Sequence, residues 1–170
     1  YYRWWLADRL TETVPVYREG IGNVQALLTV TVRAQIDGRL QAVEFTEGQM
    51  VRKGDVLARI DPAVYKAQYD QAVAKRAQDM ATLANARIDL ARYQRLAQTS
   101  AGSQQQADQQ AALVAQLQAQ VDADTAAIDN AKAFLDYTVI SSPIDGRVGL
   151  RQVDPGNVIR AGDSNGLVTI

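Results

Sequence analysis

Ile36-Asp37-Gly38-Arg39 recurs as Ile144-Asp145-Gly146-Arg147, and this pair of tetrads decides how the whole chain is read. At the same offset of 108, Gly48 falls on Gly156, Arg52 on Arg160, Gly54 on Gly162 and Asp55 on Asp163. Eight of the 20 positions from 36 to 55 are thus identical without a gap. A two-residue insertion then brings Leu57 and Ile60 onto Leu167 and Ile170. Self-similarity of this kind marks two copies of one supersecondary unit.

Each copy reads as short strands and tight turns. Val30-Thr31-Val32 and Leu40-Gln41-Ala42-Val43-Glu44-Phe45 are β-rich and partly alternating. The Asp-Gly pairs at 37–38 and 145–146 predict tight hairpin turns with positive φ. Asp154-Pro155-Gly156-Asn157 puts Pro and Gly at the two centres of a type II turn, and Glu47-Gly48 takes the matching place in the first copy. Neither copy has strands enough to cover a core alone, so the two are expected to pack as one sandwich.

The stretch between them is different in kind. After Pro62 it contains no proline, and Gly102 is the one glycine of the chain's 11 that falls there. Asp61-Pro62 is a good helix start. One helix is predicted to about Gln98, Thr99-Ser100-Ala101-Gly102-Ser103 as the turn, and a second helix to about Asp136. In the second helix Val114, Leu117, Val121, Ile128, Ala131 and Leu135 keep the three–four spacing of a coiled-coil seam, which Asp124 interrupts. In the first, Met80, Leu83 and Leu90 form a stripe, with Ala77, Ala84 and Ala91 beside it. Residues 63–98 carry net charge +3 and residues 103–136 net −4, which favours antiparallel pairing. About 35 residues at 1.5 Å each make a rod of about 50 Å. The expected class is α+β: a segment over 1–29, a first sandwich half over 30–61, a helical hairpin over 62–137, and a second half over 138–170.

Composition narrows the function. The chain has no cysteine and no histidine, which excludes disulfides, thiolate catalysis, zinc sites of the usual ligands and the commonest general base. Net charge is −1 with no basic stripe, so no nucleic-acid partner is expected. No run approaches the ~20 apolar residues that cross a bilayer. Tyr1-Tyr2-Arg3-Trp4-Trp5 does not read as a signal peptide, and it suits either the stub of an interfacial anchor or a disordered start. With no initiator Met and an apolar close at Leu167-Val168-Thr169-Ile170, the chain reads as part of something longer. Gly20-Ile21-Gly22 lacks the third glycine of a dinucleotide fingerprint. Asp122, Asp124 and Asp129 lack the glycine of a calcium loop and read as a solvated helix face. Ser141-Ser142-Pro143 has no histidine to activate a nucleophile. No residue is expected to be catalytic.

Paired halves around Asp-Gly, with Glu-Gly followed by Gly-Asp, resemble a biotinyl/lipoyl domain. In the carriers one modified Lys sits where the halves join. Here the hairpin occupies that joint, and Lys53 reads as a solvated turn residue. No cofactor is expected. A lipoyl-like sandwich split by a helical hairpin resembles the membrane fusion proteins, periplasmic adaptors of tripartite efflux pumps. Val14-Pro15-Val16-Tyr17, Gly22-Asn23-Val24-Gln25-Ala26 and Asp145-Gly146-Arg147-Val148-Gly149-Leu150 point to the Mdt type, which serves transporters of the resistance–nodulation–division (RND) class.

The resemblance implies a periplasmic protein anchored to the inner membrane. It also implies an inner-membrane RND transporter, a TolC-like outer-membrane channel and a ring of adaptors as partners. The family's tip pattern falls here on Arg92, Leu96 and Ser103, which the resemblance assigns to channel docking. The family continues into a β-barrel and a membrane-proximal domain, of which residues 14–29 would be a leading strand. The alternatives are an adaptor of a secretion or ABC-type exporter, which shares this architecture, and a lipoyl or biotinyl carrier, which lacks its Lys here. The transported compounds are selected by the transporter and cannot be read from an adaptor.

Overall fold

The computed structural model describes residues 14–99 and 102–170. The opening aromatics and two residues of the expected turn, Ser100 and Ala101, lie outside the described residues. In chain order the elements are β1 (Thr31–Val32), β2 (Gly38–Val43), β3 (Met50–Val51), β4 (Val56–Ile60), α1 (Ala63–Gln98), α2 (Gln104–Asp136), β5 (Val139–Ser141), β6 (Gly146–Arg147), β7 (Val158–Ile159) and β8 (Val168–Thr169). The strands form an antiparallel four-stranded sheet in the order β5-β4-β2-β7 and two antiparallel pairs, β1-β8 and β3-β6. Residues 14–28 carry no helix or strand, and Ile21, Val24 and Leu27 stand fully in solvent. Backbone pairing starts at Val30, which exchanges two 2.9 Å hydrogen bonds with Ile170.

The two halves interlock about an approximate two-fold axis. Leu40 N donates to Asn157 O and Leu40 O accepts from Gly156 N. At the repeat-equivalent positions Val148 N donates to Gln49 O and Val148 O accepts from Gly48 N. Leu40 and Val148 are both essentially sealed from water, within one cluster that also holds Leu57, Ile60, Ile140, Leu167 and Val168. Every sheet except the β2–β4 portion joins one half to the other, so a core forms only when both are present.

The repeated Asp-Gly pairs do something other than turn. Gly38 opens β2 and Gly146 opens β6, and neither is among the glycines at positive φ. A Cβ at Gly38 would run into Ile60 Cγ2, and one at Gly146 into Ile170 Cγ2. The glycine is there for close approach, and its clashing partners are themselves repeat equivalents. Each Asp reaches across to the other half: Asp37 Oδ1 accepts from Ala161 N and Asp145 Oδ1 from Lys53 N, both at 2.6 Å. The turns they brace are closed in the same way, with Arg52 N donating to the Asp55 carboxylate and Arg160 N to that of Asp163. Positive φ belongs instead to the other expected turn, where Gly48 sits at 78° and Gly156 at 95°. In these turns Gln49 N donates to Thr46 O and Asn157 N to Asp154 O.

The hairpin leaves the sandwich between Ile60 and Thr138, which are joined by a 2.7 Å backbone hydrogen bond. Asp61 Oδ1 accepts from Ala63 N and starts α1. Tyr65 stacks on Phe134, Phe134 meets Tyr137 edge-on, and the Tyr65 hydroxyl donates to Asp37 O. These contacts brace the rod against the sandwich.

On α1 the expected seam holds at Leu83 and Leu90 but not at Met80 or along the alanines. Leu83 and Ala86 are buried and Asp79, Leu90 and Tyr93 half-buried, whereas Met80 is half-exposed and Ala77, Ala84 and Ala91 face solvent. A period of seven describes every face of a helix equally; which face turns inward depends on the partner. On α2 the expected stripe holds, joined by Ala107 and Asp124. Asp122 and Asp129 are solvated as expected, but Asp124 is only 6% exposed. Lying three residues after Val121 and four before Ile128, it is carried into the seam by helix geometry whatever its polarity.

Candidate functional site at the hairpin tip

The end of α1 and the start of α2 form the far end of the rod. Thr99 N donates to Arg95 O and Thr99 Oγ1 to Leu96 O, which closes the last turn of α1. Gly102 N then donates to Leu96 O at 3.1 Å, folding the chain back over Leu96. A Cβ at Gly102 would sit 3.1 Å from Leu96 Cβ, so glycine lets the returning backbone lie close against that residue. Ser103 follows in an extended conformation, and its Oγ accepts from Gln106 N at 3.1 Å. It is the N-cap of α2, satisfying a backbone donor that would otherwise lack a partner.

The three residues singled out in the sequence are therefore placed as follows. Gly102 lies against Leu96 and Ser103 follows it in the chain, with Leu96 38% exposed at the rod's end. Arg92 lies one helical turn below Leu96 on the same flank and pairs with Asp89 at 3.2 Å. The resulting patch is an exposed leucine beside a capping hydroxyl, with an exposed guanidinium one turn away. Such a patch offers contacts of shape and charge.

Sequence reasoning missed a second cluster near the rod's middle. Lys75 pairs with Asp79 one turn on. That contact raises the Lys75 pKa and holds the Asp79 carboxyl below its usual range. The available signal was Asp124's position in the heptad. Among the described residues no three acidic side chains converge as metal ligands, and no helix is long and apolar enough to cross a membrane.

Comparison with known proteins gives this architecture a family. The profile of the RND MFP barrel-sandwich hybrid domain matches residues 28–170. The chain is 54% identical over 164 residues to multidrug resistance protein MdtA of Pantoea ananatis and 51% identical over 165 residues to that of Proteus mirabilis. These alignments cover 96% and 97% of the chain but 40% of each relative. Among solved structures it is similar to a MacA–MexA chimeric protein containing the Pseudomonas aeruginosa MexA α-hairpin domain. That match has a TM-score of 0.53 and 33% identity, covering 85% of this chain and 48% of the other. An interlocked two-half sandwich carrying a long helical hairpin, matched over nearly its whole length, places the chain in the RND membrane fusion protein family, whose barrel-sandwich hybrid domain it contains.

Proposed function

We propose that the chain is the hairpin-bearing part of a periplasmic adaptor that bridges an inner-membrane RND transporter to a TolC-like outer-membrane channel. In the full-length protein it is anchored to the inner membrane, and its sandwich is a split lipoyl-like unit without a carrier role. The observation that carries this reading is the free-standing hairpin: α1, at 36 residues, reaches about 54 Å from the sandwich and ends in an exposed patch. A device that catalysed or carried a group would place its reactive residue on the sandwich. A device that bridges needs reach and a docking end.

Arg92, Leu96 and Ser103 form that docking end. A patch so small binds weakly as one copy, since specific interfaces generally bury more than ~1,000 Å². Several adaptors in a ring multiply the contact through effective concentration. A shallow groove on the rod's proximal flank, floored by Ala72, Ala127, Ala131 and Phe134, gives a neighbouring hairpin room to approach. The kinship with the Mdt relatives favours this role over an adaptor for a secretion or ABC-type exporter.

The test is drug susceptibility and channel cross-linking in cells carrying the full-length adaptor with Leu96→Asp, Ser103→Arg or Arg92→Asp. Exposed Gln109→Arg is the control. Each tip variant is expected to lose most cross-linking and resistance at unchanged protein level and helicity, Leu96→Asp most severely. Tip variants that match the control in both assays would overturn the docking assignment.

A further inference from the structure

The rod is not uniform along its length. Its seam is apolar at the buried residues Leu83, Val121 and Ile128, but the layer among them holds Asp79 and Asp124. Asp124 Oδ2 is buried without a hydrogen-bond partner, and Oδ1 has only a 3.4 Å contact from Gln120 Nε2 on its own helix. From α1 the groups that face Asp124 are Asp79 and, one turn back, Lys75, whose ammonium is already held by Asp79. Arg76, half-buried, takes the next seam position toward the base.

A second observation falls on the same layer. Each helix contains a single threonine, Thr82 in α1 and Thr125 in α2. Both hydroxyls bond back to the carbonyl four residues earlier, Thr82 to Gln78 O at 3.2 Å and Thr125 to Val121 O at 3.0 Å. Back-bonding of this kind competes with the helical hydrogen bond and bends helices. The two bonded turns, 78–82 and 121–125, contain Asp79 and Asp124 respectively.

We infer that the Asp79–Asp124 layer, with its two back-bonded threonines, is a built-in soft point where the rod opens and bends more readily than on either side. A buried, unpartnered carboxylate oxygen in the seam destabilises the closed state and loses nothing when water enters. The flanking apolar layers lose their burial on opening. The device goes beyond the docking reading and holds whatever the tip binds. It gives the distal half of the rod freedom to swing about the proximal half.

Amide hydrogen exchange on the intact chain, read by mass spectrometry at peptide resolution, tests this. Simple fraying predicts protection that falls steadily from the sandwich to the tip. A soft point predicts an inversion: residues 79–84 and 122–127 should exchange about tenfold faster than 86–90 and 114–118, which lie nearer the tip. Asp124→Leu should slow the middle amides by about tenfold, since an apolar residue in place of a poorly paired buried charge stabilises. Thr82→Ala with Thr125→Ala should slow them by several-fold and serves as the second variant if Asp124→Leu fails to fold. A steady base-to-tip gradient in the wild type overturns the inference. So does unchanged middle exchange in a folded Asp124→Leu or in the double threonine variant.

Discussion

Gly38 and Gly146 show how one atom sets a contact between strands. Neither needs an unusual φ; both are glycine because an isoleucine methyl group, on Ile60 or Ile170, fills the space a Cβ would take. Ile60 is 1% exposed, so its methyl has nowhere to retreat. Gly38→Ala is therefore expected to destabilise the protein by about 1–3 kcal/mol, the usual cost of overpacking a fixed core. The partner is named by the geometry. With Ile60→Ala already in place, the added methyl at Gly38 should cost much less, so the two changes are non-additive. Urea unfolding of the two single variants and the double variant measures this, and strict additivity would show that the clash is not the cause. Asp37 and Asp145 act at the same scale, each closing a turn that belongs to the other half.

At the scale of the element, the hairpin's stability is expected to depend on pH through the Lys75–Asp79 pair. The hydrogen bond from Lys75 lowers the Asp79 pKa, so the pair stabilises the folded rod when the carboxylate is ionised. That contribution is fully present above the usual carboxylate pKa and is lost as pH falls through Asp79's lowered value. Asp79→Asn removes the charge at every pH. Wild type should therefore exceed Asp79→Asn in melting temperature at neutral pH, with the gap holding through mildly acid conditions and closing only as pH falls below the usual carboxylate pKa. Circular dichroism at 222 nm follows the transition, and a gap that widens on acidification would contradict the ion-pair account. The gap should also shrink with added salt, because the pair is reached by solvent. The base of the hairpin is braced differently, by the Tyr65–Phe134–Tyr137 aromatics and the Tyr65 hydroxyl on Asp37 O.

At the scale of the whole molecule, the sandwich and the rod are joined but separately built. Among the described residues the buried core cluster lies in the flanking halves, with Tyr65 the one hairpin side chain packed against it. The rod's ends leave the sandwich side by side, held by the Ile60–Thr138 hydrogen bond. Replacing residues 63–136 with a short turn should then leave a cooperative β-rich unit. Its stability should be modest, since a module of some 65 residues buries little surface and lies near the lower limit for a domain without staples. Thermal unfolding by circular dichroism reads the result, and absence of a cooperative transition would mean that the hairpin is part of the sandwich's core.

What the sequence by itself determined is whatever is local or periodic. The repeat announced two equivalent halves, the loss of proline and glycine announced two long helices, and Pro155-Gly156 announced its turn. The proposed docking patch rests on resemblance to a family, because an arginine, a leucine and a capping serine are ordinary residues on any helical hairpin. Three things were decided by tertiary structure alone. The Asp-Gly pairs became strand starts because space at Gly38 and Gly146 is limited by isoleucines from elsewhere in their own halves. The face of α1 that turned inward was chosen by its partner, since a seven-residue repeat names every face alike. Asp124 was drawn out of water because rigid helix geometry, once Val121 and Ile128 are buried, carries the residue between them inward too, at the cost of an oxygen left without a partner.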